Sequence, residues 1–342
     1  MPSIAKIATL FLCILVVSAA PSTVAAHDER LQLYALLNSV EGKLVTKGVV
    51  QELNKRLTDQ GYISEGSNNQ SLKLLVVPTL AFDQNINGGN PSRDLVLGNI
   101  RFVGDKALNE KSGFLAGGFL DAKGRQIIGA GHYLRYGFRG GYSYNKTHNV
   151  SVVSANFNVC AINNVGSWSY LDVCANRSIV NKAITRNSAT NLNFGSTHLF
   201  TSSTGNYHKT TWSMNRLFTD KYEQNQIILG FTSILANHST AIISLIAGEA
   251  VDDQLVTRLS VSSRYGAKLG NSNVWLGASF STASGGKLLG FDRSDKVSHV
   301  SITYQLSDQL TATLGFQNTD SSIDYFDAIF PTLAFEVKLF NF

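Results

Sequence analysis

Hydrophobic and polar residues alternate with a period of two over most of the chain after residue 70. One such segment places Val300, Ile302, Tyr304 and Leu306 on one face, with polar residues between them. This period predicts β-strands that each have one apolar and one polar face. The apolar faces must meet either a second sheet, as in a soluble sandwich, or lipid, as in a transmembrane barrel.

The composition is unusually poor in charge. Charged residues make up 15% of the 342 residues, against about 25% in typical soluble proteins. Apolar residues make up 44%, which excludes intrinsic disorder. The formal net charge of +5 is too mild to imply a nucleic-acid partner.

Residues 1–26 have the features of a secretory signal peptide. Lys6 precedes an apolar core over residues 7–19, and small residues follow at 24–26. The apolar core is shorter than the ~20 residues that a membrane-spanning helix needs. We therefore expect cleavage before His27 and export of the mature protein.

Residues 27–70 are predicted to form a periplasmic helical extension and a linker. Leu33, Leu36 and Leu37 have helical spacing, as do the apolar residues of 49–57. Residues 61–70 are polar and contain two glycines, which is typical of a linker. Two interpretations of the helices stay open: a short structural cap, or a plug or partner-binding element.

Residues 71–342 are predicted to form an all-β domain, a transmembrane up-and-down antiparallel β-barrel of about 14 strands. Most strands approach the ~9–11 residues that cross a bilayer. Short connections alternate with longer ones for much of the chain, as in outer-membrane barrels with short periplasmic turns. A hairpin hidden in 160–188 would raise the number to sixteen. The predicted strands are 72–82, 95–103, 112–120, 126–144, 150–159, 189–200, 207–218, 225–235, 240–248, 255–265, 273–281, 298–306, 310–317 and 332–342.

The last nine residues, AFEVKLFNF, end in Phe342. This segment resembles the terminal strand of bacterial outer-membrane proteins, which the barrel-assembly machinery reads. The resemblance implies that machinery as a partner and the bacterial cell outer membrane as the location. The alternation changes parity between Leu339 and Phe340, and a β-bulge near Leu339 would account for it.

A second resemblance lies at the start of the predicted barrel. Residues 78–87, PTLAFDQNIN, resemble the first strand and loop of the barrel in the surface lipoprotein assembly modifier (Slam) family. That family joins periplasmic tetratricopeptide helices to a fourteen-strand barrel. The resemblance covers residues 71–342 and implies a role in the export of surface proteins.

Two cysteines remain after removal of the signal peptide, Cys160 and Cys174. In an exported protein a close, even pair predicts a disulfide, here at the outer end of the strand that ends near Val159. A metal site is disfavoured because two cysteines without a nearby histidine offer too few ligands. No cofactor motif is present.

Catalysis is not expected. The candidate residues His148, His208, His238 and His299 lack a recognisable partner motif for acyl-transfer or hydrolytic chemistry. We therefore predict that the protein is not an enzyme.

Five arginines fall on the polar parity of the predicted strands and are candidates to line the lumen. A ring of such side chains favours anions in a channel. The alternative is a structural role, in which each pairs with an acid. The candidates are Arg101, Arg135, Arg139, Arg258 and Arg264.

These features predict a translocation pore or secretion component for solutes or surface-exported molecules. The alternative is a closed structural or adhesive barrel that binds partners through its extracellular loops. The expected partners are outer-membrane lipids, the barrel-assembly machinery, and periplasmic or surface proteins.

Overall fold

The computed structural model describes residues 28–62, 70–91, 94–97, 99–337 and 340–341. The predicted signal peptide lies outside these described residues. The described part contains two α-helices, α1 (Glu29–Val40) and α2 (Lys47–Asp59), and seventeen strands. Two single 3₁₀ turns occur at Lys106–Leu108 and Asp324–Phe326.

Fourteen antiparallel strands close into one barrel, as the alternation predicts. Each barrel strand pairs with the next along the chain, and β1 closes the barrel by pairing with β16. The short strands β2 and β3 form a separate hairpin, and β17 extends the last strand. The strands are β1 (Gln70–Asp83), β2 (Leu95–Leu97), β3 (Ile100–Phe102), β4 (Gly113–Gly129), β5 (His132–Asn145), β6 (Val150–Gly166), β7 (Ser169–Asn181), β8 (Arg186–Thr201), β9 (Tyr207–Thr219), β10 (Glu223–Ile234), β11 (Thr240–Gly248), β12 (Val256–Leu269), β13 (Ser272–Leu288), β14 (Phe291–Gln305), β15 (Leu310–Ser321), β16 (Ala328–Val337) and β17 (Phe340–Asn341).

The barrel is apolar outside and polar inside. Outward residues such as Leu229, Val300 and Leu314 have about half of their surface exposed, although the sequence places apolar residues there strand after strand. Register keeps these residues on one side, because Val300 pairs with Ala278 and Phe316. An apolar exterior of this kind requires lipid around it.

The two ends of the barrel differ. At one end, here called the turn end, β1 begins and the last strand finishes. The connections there are two to five residues long: 130–131, 167–168, 202–206, 235–239, 270–271 and 306–309. The opposite end, the loop end, carries the 29-residue segment 84–112 that contains β2 and β3.

The N-terminal hairpin, residues 28–62, lies in the mouth at the turn end. The Asp28 side chain caps α1 by accepting a hydrogen bond from the Leu31 amide at 3.0 Å. Leu31 and Tyr34 are buried in one cluster with inward side chains of four successive strands. Only the concave inner surface of a barrel brings these together around one helix, and they are Tyr133, Cys160, Ile162, Tyr170 and Leu199.

The segment 84–112 folds back over the loop end. Lys182 donates to Asp83 at 2.7 Å, and the Ile184 amide donates to the Asn87 carbonyl at 2.9 Å. The hairpin β2–β3 buries Leu95 and Leu97 against Leu288, Ile323, Tyr325 and Phe326. Described parts of this segment therefore lie over the loop end and contact opposite sides of its rim.

The number of wall strands is as predicted, but one predicted strand is not in the wall and one wall strand was not predicted. The segment 95–103 is the β2–β3 hairpin and takes no place in the wall. The segment 160–188, expected to be an external loop, contains the end of β6 and all of β7. The boundary between two further predicted strands, 112–120 and 126–144, is also misplaced. These residues form β4 and β5, which meet at the turn 130–131. The connection after β5, residues 146–149, therefore lies at the loop end.

The predicted disulfide joins Cys160 to Cys174. Its location differs from the prediction: the two residues are partners on neighbouring strands β6 and β7, and Cys160 is buried beneath α1. The prediction misplaced it because the strand continues past Val159 to Gly166.

Ellman titration of the unreduced mature protein, unfolded in detergent, should detect no free thiol. The bridge joins its two cysteines, so two thiols should appear only after reduction. Two thiols before reduction would contradict the bridge.

Among the described residues, which omit 338, 339 and 342 of the last strand, the seam between the first and last strands has fewer residue pairs than the rest of the wall. β1 pairs with β4 over fourteen residues, but with β16 over four and with β17 over two. Thr79 faces Glu336, whereas Val76 faces Phe340, so the last strand has one extra residue between these pairs. This offset agrees with the bulge that the change of parity near Leu339 suggests.

Candidate functional site: the barrel interior

The five candidate arginines lie in three different settings. Arg135 and Arg139 share the inward parity of the buried Tyr133 on β5, and Arg264 is inward on β12, opposite in parity to the exposed Tyr265. The other two candidates are Arg101, which lies outside the barrel wall, and Arg258, which lies at an irregular position of β12.

Arg101 lies on β3 in the loop-end hairpin, where its Nε donates to Asp94 at 2.6 Å. It is therefore not on the barrel wall. Arg258 sits at a register shift in β12, and its Nε donates to the Gly248 carbonyl at 3.1 Å. The alternation of a regular strand does not apply at that shift.

Two inward arginines each lie against an aromatic ring. The guanidinium carbon of Arg139 is 4.2 Å from the ring centroid of Phe119, and that of Arg264 is 4.9 Å from the ring of Trp275. They stand on the third and tenth of the fourteen barrel strands, which lie on opposite walls. Neither makes an ion pair with any described residue within 4.0 Å.

These walls contain hydrogen-bond donors without acceptors. Nε and one terminal nitrogen of Arg139 are buried with no hydrogen-bond partner among the described residues, and so is the indole nitrogen of Trp275. Buried polar groups are normally satisfied. Asp121, the Cα partner of Arg139, instead lies 3.1 Å from Lys123.

The wall formed by β6–β10 is rich in amide side chains that pair with one another. Asn156 and Asn176 exchange side-chain hydrogen bonds at 3.1 and 3.4 Å. Asn215 donates to Asn191 at 3.2 Å and to Gln226 at 2.8 Å. Sequence analysis missed this ladder, although asparagine at every second position was its visible signal.

The hairpin is held in the turn-end mouth by charged contacts that sequence analysis also missed. Arg30 makes a two-pronged ion pair with Asp172, both distances 2.8 Å. Asp28 pairs with Lys209, and Asp59 with Arg125. Burial alone would lower the pKa of Arg30, but the hydrogen bonds and charge of Asp172 outweigh it and hold that pKa above its ordinary value.

The candidate histidines form no catalytic arrangement with the contacts described. His208 Nδ1 is 2.8 Å from the Ser233 hydroxyl, but its ring stacks between Phe200 and Phe231 on the outer wall. In the described part of the chain, no three His, Cys, Asp or Glu residues are grouped to hold a metal ion. No described helix is long and apolar enough to cross a membrane.

Comparison with known proteins gives structural similarity alone. No family model matches the chain, and no curated protein matches it. OccK2 (OpdF) of Pseudomonas aeruginosa, solved with glucuronate, shares 8% identity over 82% of this chain and 100% of its own, with a TM-score of 0.42. OccAB4 of Acinetobacter baumannii shares 8% identity over 81% of this chain and 100% of its own, with a TM-score of 0.41. A loop-deletion mutant of OmpT, an outer membrane protein of Vibrio cholerae, shares 6% identity over 80% of this chain and 100% of its own, with a TM-score of 0.42.

At such identities and TM-scores the similarity supports no inference about activity, and the Slam resemblance remains a prediction. The assignment that stands comes from the geometry of this chain. An even number of antiparallel strands, full closure, an apolar exterior and a polar interior are the defining features of outer-membrane barrels. The chain is a closed fourteen-strand β-barrel of the outer-membrane type.

Proposed function

We propose that the protein is an outer-membrane channel for polar solutes that prefers anions. The observation that carries the proposal is the pair of opposed arginines, Arg139 and Arg264, which have inward parity and form no ion pair with an acid in the described part of the chain. A fixed positive charge in a narrow, partly desolvated pore attracts anions and repels cations.

The size of the barrel is compatible with a water-filled path. Fourteen strands about 4.8 Å apart and tilted by about 40° enclose a cylinder roughly 28 Å across between backbones. This is wider than the small barrels whose interiors are filled by side chains. The amide ladder on β6–β10 provides neutral donors and acceptors along one wall, which suits hydrated solutes.

The charged residues of inward parity on β1, β4 and β5 also support a preference for anions. Lys73, Lys123, Arg135 and Arg139 have the inward parity on these strands. Asp121 and Asp83 are acids of the same parity on these strands, and they pair with Lys123 and Lys182. This wall therefore carries a net positive charge.

Reversal potentials in planar bilayers under a KCl gradient should show a preference for chloride. Replacing Arg139 and Arg264 together with glutamine should lower the ratio of anion to cation permeability several-fold, because both uncompensated charges are lost. Arg101→Gln is the matched control: it removes the same charge at the loop end and should leave the ratio unchanged. Cation selectivity of the unmodified protein would contradict the proposal.

The short seam between β1 and β16 favours a second candidate, a secretion component that opens laterally. Six pairs of described residues join this seam, against fourteen between β1 and β4. A lateral exit does not require a charged lumen, so its ion permeability would be insensitive to Arg139 and Arg264. The same measurement therefore separates the two functions.

A further inference from the structure

We infer that the N-terminal hairpin, residues 28–62, is a displaceable plug that closes the channel at the turn end. The inference rests on the proposed channel function. The hairpin is separate from the barrel wall that forms the proposed conduction path.

The hairpin spans a large part of the mouth. Its contacts run from Arg125 on β4 to Lys209 on β9, six consecutive strands of the fourteen. A helix with its side chains is about 10 Å across, so α1 together with the end of α2 obstructs much of an opening roughly 28 Å wide between backbones.

The barrel does not depend on the hairpin for its own closure. All fourteen strands pair with each other around the full circle. The described backbone hydrogen bond that joins the hairpin to the barrel runs from the Gly131 amide to the Gly61 carbonyl at 3.2 Å. The hairpin is therefore an added element that can leave while the wall stays intact.

The contact surface combines the apolar cluster around Leu31 and Tyr34 with ion pairs and tyrosine hydroxyls. Besides the Arg30–Asp172 pair, Thr201 donates to the Tyr34 hydroxyl at 3.0 Å, and the Tyr62 and Tyr170 hydroxyls are 2.9 Å apart. Arg30 also lies 4.3 Å from the ring centroid of Tyr170. A contact surface that mixes apolar and charged groups in this way resembles interfaces between domains, which are more polar than obligate interfaces.

The far end of the hairpin is not packed against the barrel. The connection 41–46 is exposed, Leu44 completely so, and α2 has no buried residue. The hairpin is therefore anchored at its root, where α1 begins and α2 ends, and breaking the root contacts should release it.

Charge reversal at the root tests the plug in the full-length protein. Arg30→Asp and Asp172→Arg each place two like charges face to face and should raise the ratio of open to closed time in single-channel recordings more than about tenfold. The double variant R30D/D172R restores the pair and should return the ratio to near that of the unmodified protein. Lys55→Asp reverses a charge on the exposed side of α2 and should change nothing.

The outcomes separate the plug from the channel. Heat-modifiable mobility in gels first establishes that each variant has a folded barrel. Equal conductance of all variants would overturn the plug and leave the channel intact. Opening in both single variants without recovery in the double variant would also overturn the specific latch, and silence of every folded variant would overturn both plug and channel.

Discussion

Replacing Asp295 with alanine should lower the free energy of unfolding by about 3–5 kcal/mol, because it leaves a buried guanidinium without its counter-charge. Arg293 donates to Asp295 at 3.0 and 2.6 Å, and the two side chains are 10% and 0% exposed. Ser321 donates to the same carboxylate at 2.6 Å. Urea titration of the refolded protein, followed by tryptophan fluorescence, measures the loss.

The effect should be specific to the buried carboxylate. Asp292 is exposed on the same strand, so Asp292→Ala should change the stability by less than about 0.5 kcal/mol. Removing both charges, as R293M/D295L, should cost less than D295A alone, since no unpaired ion remains. Equal losses for Asp292→Ala and Asp295→Ala would show that burial of the pair has no energetic consequence.

The Arg293–Asp295 ion pair also helps to organise the loop end. The Arg293 guanidinium carbon lies 3.3 Å from the ring centroid of Phe326, and Phe326 belongs to the cluster that receives Leu95 and Leu97 of the β2–β3 hairpin. Loss of Asp295 should therefore loosen the segment 321–327 and the hairpin over it. The polar interior of the barrel further down should be unaffected.

The alternation of the sequence predicts the barrel where its two faces meet different solvents. Strands β12–β16 have lipid on one side and a polar lumen on the other, and each overlaps a predicted strand. The prediction was too short for β13 and β14, which extend through 282–297 except for the two-residue turn 289–290. Strand β7 was missed because its inner face is not uniformly polar: Tyr170 and Cys174 point toward α1. A plug inside the barrel thus weakens the period of two in the strands that it touches.

Local alternation also does not distinguish a wall strand from a loop hairpin. Leu95, Leu97, Ile100 and Phe102 have strand spacing, yet β2 and β3 pair only with each other. The difference is set by long-range pairing, since β1 matches β4 directly over fourteen residues and leaves no place between them. Arg101 was predicted to line the lumen for the same reason, because β3 was taken as part of a wall strand.

The ion pairs of the plug were beyond sequence reasoning for a different reason. Arg30 and Asp172 are 142 residues apart, and nothing in either segment identifies the other as its partner. Arg139 and Arg264 were identified by parity alone, which is preserved as long as the strand contains no irregularity. Arg258 shows the limit of that rule, because a register shift adjoins it.

Replacing Val300 with arginine should destabilise the barrel by about 2–4 kcal/mol in lipid vesicles, because it puts a charge on the lipid-facing wall near the membrane centre. Val300 is 56% exposed and lies six residues before the turn that begins at Leu306. Its neighbours across the strands are Ala278 and Phe316, which offer no counter-charge. Urea titration of the protein folded into vesicles gives the value.

The adjacent residue supplies the control that decides which face meets lipid. Ser301 has inward parity and lies between Gly277 and Gly315, which carry no side chains, so an arginine there can extend toward the polar lumen. Ser301→Arg should therefore change the stability by less than about 0.5 kcal/mol, and it should raise the preference for chloride because it adds positive charge to the lumen. A larger loss for Ser301→Arg than for Val300→Arg would reverse the assignment of the two faces. Since Arg139 and Arg264 were assigned to the lumen by the same alternation, that result would remove the basis for anion preference as well.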